Sequence, residues 1–237
     1  MKIINPEIVL EVLYRDEWFI AINKPCGLLV HRTRIAEEDT VFALQILRDQ
    51  IGCHLYPVHR IDRPTSGILL FAFSPEVARA LNEQLVSHQA EKIYTALVRG
   101  WMCEPISLDH PVKNENGNMY EAQTDFKPLK WLEVPISAGK YPHSRYSVIE
   151  CRPFTGRWHQ IRQHLAHLRH YIINDRVHGD NKHNKLYTTQ LGIYEMFLHA
   201  TTITLDHPIK KERLHIAAPF PPHWDRIVSY QIDTEKM

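Results

Sequence analysis

The densest gathering of reactive side chains is His59-Arg60-Ile61-Asp62-Arg63-Pro64-Thr65-Ser66-Gly67, immediately ahead of an apolar run. An acid between two arginines is heavily charged for a segment that feeds a core strand. Pro64 biases Arg63 away from helix, which predicts that Asp62 sits in a loop. Two nearby arginines favour the ionised carboxylate, which suits a nucleophile and is poor for a general acid. Spacing alone also allows a loop acid satisfied by its neighbours, since structural ion pairs imitate sites. A hydrolase triad of His59, Asp62 and Ser66 is disfavoured. The G-x-S-x-G elbow is absent, and three residues this close would have to converge within one tight loop.

A second cluster is Thr155-Gly156-Arg157-Trp158-His159-Gln160-Ile161-Arg162, continuing through His164, His167 and Leu168. It reads as a loop opening into a helix whose first turn carries Arg157, His159 and Arg162. Free backbone N–H groups beside cations make an anion site, for a phosphate or for another residue's carboxylate. A solvated basic helix face is the alternative on charge alone. His164, His167 and His170 lie roughly on one side of that helix, but no H-E-x-x-H or matching carboxylate accompanies them, so a metal site is disfavoured. Lys92-Ile93-Tyr94, entering a strand, has no meaning by itself.

These clusters need a frame. Residues 9–23 read as a β-hairpin around Arg15-Asp16-Glu17, followed by a loop at Lys24-Pro25-Cys26-Gly27. Leu44, Leu47 and Ile51 give a helix over 41–51, with Asp39 or Thr40 as cap and Gly52 as stop. Ile68 to Phe73 is a continuous apolar run, the pattern of a strand buried on both faces. Ser74-Pro75 opens a helix, with Val77, Ala78, Leu81 and Leu85 as its buried stripe. Ile93–Val98 and Ser147–Cys151 are strands, and short strands are expected at Ala122–Phe126 and Trp131–Ile136. A helix at His159–Leu168 precedes late strands at Phe197–Leu205 and Arg213–Ala218. The expected class is α/β (α+β): one catalytic domain over residues 1–237, with a mixed, largely antiparallel central sheet flanked by helices. No repeat or linker divides the chain.

Composition narrows the function classes. The chain has 237 residues, 44% hydrophobic and 23% charged, the balance of an ordinary globular protein. Net charge is 28 − 27 = +1, so any attraction for nucleic acid must be local. Residues 151–183 supply it: six Arg/Lys against two acids, and six of the sixteen histidines. The four cysteines form no CxxC pair, which argues against a zinc site or redox dithiol and fits a reducing cytoplasm. No apolar signal region and no membrane-length apolar run is present.

Together the three motifs stop being anonymous. H-R-I-D-x-x-T-S-G, then K-x-Y, then G-R-x-H-Q-I-R-x-H-L-A-H-L resembles the RluA-type pseudouridine synthases. The likeness runs in order from Asn23-Lys24-Pro25 to Leu198-His199-Ala200. It implies a pseudouridine synthase fold with an RNA-binding cleft, and isomerisation of uridine in structured RNA with neither cofactor nor metal. By position, Asp62 resembles the catalytic aspartate, and Tyr94 the tyrosine that stacks on the target base. Arg162 resembles the basic residue paired with the aspartate, and Arg60 the arginine that fills the place of the flipped nucleotide. His59, Arg63, Thr65, Arg157 and His159 are the accompanying RNA-binding candidates. The target uridine must leave its stack to react, at a few kcal/mol.

Four departures refine the resemblance. Ile61 replaces a commoner leucine, Trp158 stands where threonine is frequent, and Asn174-Asp175 where Gly-Asp is usual. The chain is also expected to begin directly with the catalytic domain, without a separate N-terminal RNA-binding domain. With Leu165–His170 and the His178–Asn184 run, these point to the branch acting on uridine 65 of the tRNA T-stem. The alternatives are a ribosomal RNA target and an inactive RNA-binding or chaperone relative. No membrane and no obligate protein partner is implied.

Overall fold

The computed structural model describes residues 8–30 and 41–228. The chain divides into two compact units, Met1–Glu91 with Ala200–Pro219, and Lys92–His199 with Phe220–Met237. Along the chain, the first unit contains β1 (Glu11–Arg15), β2 (Phe19–Lys24), α1 (Ala43–Ile51), β3 (Tyr56–Pro57), β4 (Ser66–Ala72) and α2 (Pro75–Val86). The second opens with β5 (Glu91–Arg99), β6 (Ile106–Asp109), β7 (Val112–Lys113), β8 (Met119–Tyr120), β9 (Gln123–Val134) and β10 (Ser144–Pro153). It continues through α3 (Gln160–His167) and α4 (Asn181–Gln190). β11 (Leu198–Asp206) and β12 (Arg213–Ala217) return to the first unit, and a short helix α5 (Asp225–Val228) lies near the C-terminal end.

In the first unit the strand order is β1-β2-β4-β11, with β12 beside β11 and β3 beside β4. Its hairpin forms as the sequence predicts, and Asp16 closes it: Oδ1 accepts from the Trp18 and Phe19 amides at 2.8 and 2.9 Å. β4 is buried at every position. Ile68, Leu70 and Ala72 face a cluster containing Val77, Leu81 and Leu85 of α2, while Leu69 and Phe71 face Ala43 and Leu47 of α1. The two-residue alternation of a strand thus explains why the run had no polar face. Ser74 caps α2 through the Val77 amide, with Pro75 in the first turn. The α1 start differs from the expected one. The N-cap position is held by Phe42, whose side chain makes no capping bond, and Asp39 and Thr40 lie outside the described residues.

In the second unit the order is β5-β10-β9-β6, with β7 and β8 as a separate hairpin. β10 pairs antiparallel with both β5 and β9. Ala96, Val98, Ile149 and Cys151 pack against Ile161 and Leu165 of α3. Leu97, Leu132, Val134 and Tyr146 share the other cluster with Tyr187 of α4 and Trp224. The two short strands expected at 122–126 and 131–136 are one twelve-residue strand. Pro128 interrupts the alternation in sequence, but the ladder absorbs it where the register shifts between Val148 and Ile149. α4 leaves little trace in the sequence pattern because only His183 and Tyr187 of its ten residues are buried. Its one strong sign is Asp180, which caps it through the Lys182 and His183 amides.

Candidate active site

Asp62 sits in the loop between β3 and β4, as Pro64 predicts. The Thr65 amide donates to the Asp62 carbonyl at 3.0 Å, closing a turn around Arg63-Pro64. Ile61 and Thr65, on either side of Asp62-Arg63-Pro64, are buried. Asp62 itself is half-buried, and Arg60 and Arg63 are exposed. The segment is therefore anchored by its apolar and hydroxyl residues and presents its charged ones.

A buried lysine holds this loop against the Asn23-Lys24-Pro25 segment. Lys24 is fully buried, and its ammonium donates to the carbonyls of Pro25, Leu28 and Arg63 at 2.9, 2.8 and 3.2 Å. Burial pushes the Lys24 amine down to about 7, while the charges of Cys26 and Asp62 pull it up. The Gly27 amide donates to the Arg63 carbonyl at 2.8 Å, and Arg63 Nε returns a bond to the Gly27 carbonyl at 3.1 Å. Two segments far apart in sequence thus form one scaffold under Asp62.

Gly67 completes it. Its φ is +104°, and a Cβ there would lie 2.2 Å from the Ala200 carbonyl oxygen, a contact no substituent could relieve. His59, expected to contact RNA, also has a structural role, because its Nε2 accepts from the Leu70 amide at 3.2 Å. That bond ties the His59 ring to the β4 backbone.

In the second unit, Lys92 and Tyr94 are two apart on β5 and so share a strand face. Tyr94 lies opposite Cys151 on β10 and packs against the cluster that α3 covers. Lys92 is pushed below the ordinary lysine value by burial, and its ammonium lies close to Gly156. The K-x-Y and G-R-x-H-Q-I-R motifs therefore meet.

Arg162 is buried on α3, with a partner that its spacing in the sequence does not indicate. Its Nε donates to Asp175 Oδ2 at 2.7 Å and its Nη2 to Oδ1 at 2.8 Å. Burial works against the Asp175 carboxylate, but Arg162 and the Val177 and His178 amides outweigh it and hold the carboxyl below its usual range. His159 occupies the α3 N-cap in left-handed backbone, φ 51°. Its Nδ1 meets His178 Nε2 at 2.9 Å, and its ring stacks on Trp158 at 3.6 Å. A chain of contacts thus runs Trp158, His159, His178, Asp175, Arg162. Arg157 turns elsewhere, donating from Nε to the Glu121 carbonyl at 3.1 Å.

The helix histidines are otherwise engaged. His164 Nε2 donates to the His110 carbonyl and its Nδ1 accepts from the Thr124 hydroxyl. His167 stacks on His110 at 4.0 Å, and His170 Nδ1 donates to the Arg99 carbonyl. Among the described residues no three His, Cys, Asp or Glu gather as a metal-ligand set.

Residues 18–167 match the family described as RNA pseudouridylate synthase, and the chain belongs to that family. It is an RNA pseudouridine synthase, an isomerase that converts uridine to pseudouridine. Among its relatives is tRNA pseudouridine synthase C of Vibrio parahaemolyticus, 44% identical over 231 residues that cover 93% of this chain and 94% of that one. The protein of the same name from Haemophilus influenzae is 40% identical, covering 93% and 97%. Two solved structures share the fold. Human RNA Pseudouridylate Synthase Domain Containing 1 has a TM-score of 0.71 at 24% identity, covering 93% of this chain and 87% of that one. Human RNA Pseudouridylate Synthase Domain Containing 4 has a TM-score of 0.72 at 21% identity, covering 93% and 92%. The α/β class, with a large mixed sheet and few helices, agrees with the sequence expectation.

Proposed function

We propose that this enzyme acts on tRNA, at uridine 65 of the T-stem, with Asp62 as the catalytic aspartate. The observation that carries the substrate assignment is likeness along nearly the whole chain to proteins named tRNA pseudouridine synthase C. The bond from uracil nitrogen 1 to the ribose breaks, the uracil turns in place, and a bond from carbon 5 to the same ribose carbon forms. The carbon 5 proton is lost and nitrogen 1 gains one, so atoms and electrons balance without a cofactor. Asp62 supplies the anionic oxygen that this exchange requires. Its fixed turn supports that role, because a nucleophile must be held in place before the substrate arrives.

Tyr94 supplies an aromatic platform for the uracil, and Arg162 the basic residue that serves the aspartate. Arg60, exposed beside Asp62, enters the stack vacated by the flipped nucleotide. Arg63, Thr65, Arg157, His159 and His59 border the RNA path, where contacts go to phosphates and 2′-hydroxyls. Residues 1–237 act as one catalytic domain in the cytoplasm, where tRNA is modified. No described helix is long and apolar enough to cross a membrane.

The test is a map of pseudouridine in tRNA and ribosomal RNA from a strain lacking this protein. Loss confined to position 65 of tRNA supports the assignment. Loss at a ribosomal RNA site with tRNA intact would replace the substrate, and no loss anywhere would remove the reading altogether.

A further inference from the structure

The second unit contains a cavity of about 220 Å³ where the start of the third motif meets residues outside all three, lined by Val112, Asn114, Tyr120, Gly156, Arg157 and Trp158. One wall is the β7–β8 hairpin and the other is the loop leading into α3. The walls are tied to each other. Gln163 Nε2 donates to the carbonyls of Lys113 and Trp158 at 2.8 and 2.9 Å, and its Oε1 accepts from the Lys113 amide at 3.1 Å. Gln160 Oε1 accepts from the Arg157 amide at 3.0 Å. The cavity is thereby held open in advance, which lowers the ordering cost of filling it.

Its chemistry is mixed in a specific way. Trp158 has one face covered by His159, which is itself held by His178, so the indole is fixed in orientation. Tyr120 is exposed and lies under the Arg157 guanidinium, 5.6 Å from it. Arg157 uses only Nε for hydrogen bonding within the described residues, leaving its terminal nitrogens available. The Asn114 side-chain Nδ2 and the Tyr120 hydroxyl also make no hydrogen bond among the described residues, the Asn114 Oδ1 being taken by the Asn116 and Asn118 amides. Two π surfaces, a cation and two neutral hydrogen-bonding groups match a nucleoside and its phosphate. Val112 is the only aliphatic lining side chain, so the cavity is a poor receptacle for a lipid or an apolar peptide anchor.

We propose that this cavity receives an unpaired nucleobase of the RNA substrate, distinct from the reacting uridine, stacked on Trp158 and Tyr120 with Arg157 at its phosphate. This deepens the reading of the chain as acting on structured RNA, and rests on it. Trp158 stands where the family resemblance expects threonine, so the subsite is a specificity element rather than part of the shared reaction machinery.

The test measures binding of an unmodified tRNA transcript, by anisotropy, to wild type, Trp158→Thr, Trp158→Phe and Tyr120→Ala, with melting temperatures as the folding control. Loss of one base–aromatic stack should weaken binding about tenfold in Trp158→Thr and in Tyr120→Ala, while Trp158→Phe stays within about twofold. An oligouridylate should quench part of the wild-type tryptophan emission, and that part should vanish in Trp158→Phe. Folded Trp158→Thr and Tyr120→Ala proteins that bind as tightly as wild type would overturn the proposal. So would equal weakening by Trp158→Phe and Trp158→Thr. The substrate reading is judged separately, by which RNA the wild type binds. If it prefers a ribosomal RNA fragment, the same variant ratios on that fragment decide the subsite. If it binds no RNA, both ideas fall.

Discussion

Arg162 and Asp175 are joined at two points, Nε to Oδ2 at 2.7 Å and Nη2 to Oδ1 at 2.8 Å, with side chains only 3% and 1% exposed. A guanidinium matched edge-on to a carboxylate has its direction fixed as well as its charge balanced. Asp175 also accepts from two backbone amides, so the arginine is oriented by the chain around 175–178. Arg162→Ala should therefore leave a buried carboxylate without its cation, a change that typically costs about 3–5 kcal/mol. Asp175→Asn should lose both stability and turnover, because Arg162 loses its orientation. Urea unfolding of the two single variants and the double variant checks this. Additive losses would mean the pair is not coupled.

Arg60 should behave in the opposite way. It is exposed, and no hydrogen bond or ion pair within the described residues holds it. Arg60→Ala should stay within about 0.5 kcal/mol of wild type in stability. It should lose base flipping, seen as a missing fluorescence rise from 2-aminopurine beside the target uridine. A stability loss matching that of Arg162→Ala would make both arginines parts of one structural network.

Lys24 has three backbone carbonyls as partners, so it bears on Asp62 through the loop it holds. Lys24→Met keeps the side chain's bulk but leaves the Pro25, Leu28 and Arg63 carbonyls without their donor. An unsatisfied buried polar group costs about 1–3 kcal/mol, partly offset because no charge is buried. We expect a net loss of about 2–4 kcal/mol by chemical denaturation, together with reduced activity as the Asp62 turn loosens. Wild-type stability would show that the three bonds merely compensate burial.

Much of this was legible in the sequence where local chemistry and tertiary packing agree. The all-apolar Ile68–Phe73 run has helices on both sides, and Ser74-Pro75 starts α2 where capping chemistry says it should. The Asp62 loop was legible because Pro64 and Gly67 constrain the backbone by themselves. The residues that hold the site were not. Asp175 reads in sequence only as a neighbour of Asn174, and its pairing with Arg162 depends on a fold that brings positions thirteen apart into register. Lys24 reads in sequence only as a loop residue and part of the Asn23-Lys24-Pro25 segment, and its three carbonyl partners appear only in the fold. His59 reads as a reactive group, yet its Nε2 also accepts from the Leu70 amide.

Two buried histidines should set the decline of stability on the acid side. Burial pushes the His164 imidazole below its ordinary 6.5, against the pull of its bond to the His110 carbonyl, and His183 is lowered by burial as well. As pH falls below 6.5, the unfolded chain takes up these protons before the folded chain does, so the stability tied to these histidines is full above 6.5 and lost below it. The limiting slope is about 1.4 kcal/mol per pH unit for each such histidine. Denaturation of wild type and His164→Gln between about pH 7.5 and 5 should show a shallower decline in the variant. Parallel declines would mean that His164 does not set the acid limit.

The most direct measurement is pseudouridine formed in an unmodified tRNA transcript by wild type and by Asp62→Asn, with RNA binding measured in parallel. Asp62→Asn preserves size and one acceptor oxygen while removing the negative charge and the second carboxylate oxygen. The expected result is one pseudouridine, at position 65, with the wild type, and none with a folded variant that still binds the transcript. Turnover by Asp62→Asn within about tenfold of wild type, equivalent to only about 1.4 kcal/mol of barrier, would contradict the assignment of Asp62 as the catalytic aspartate.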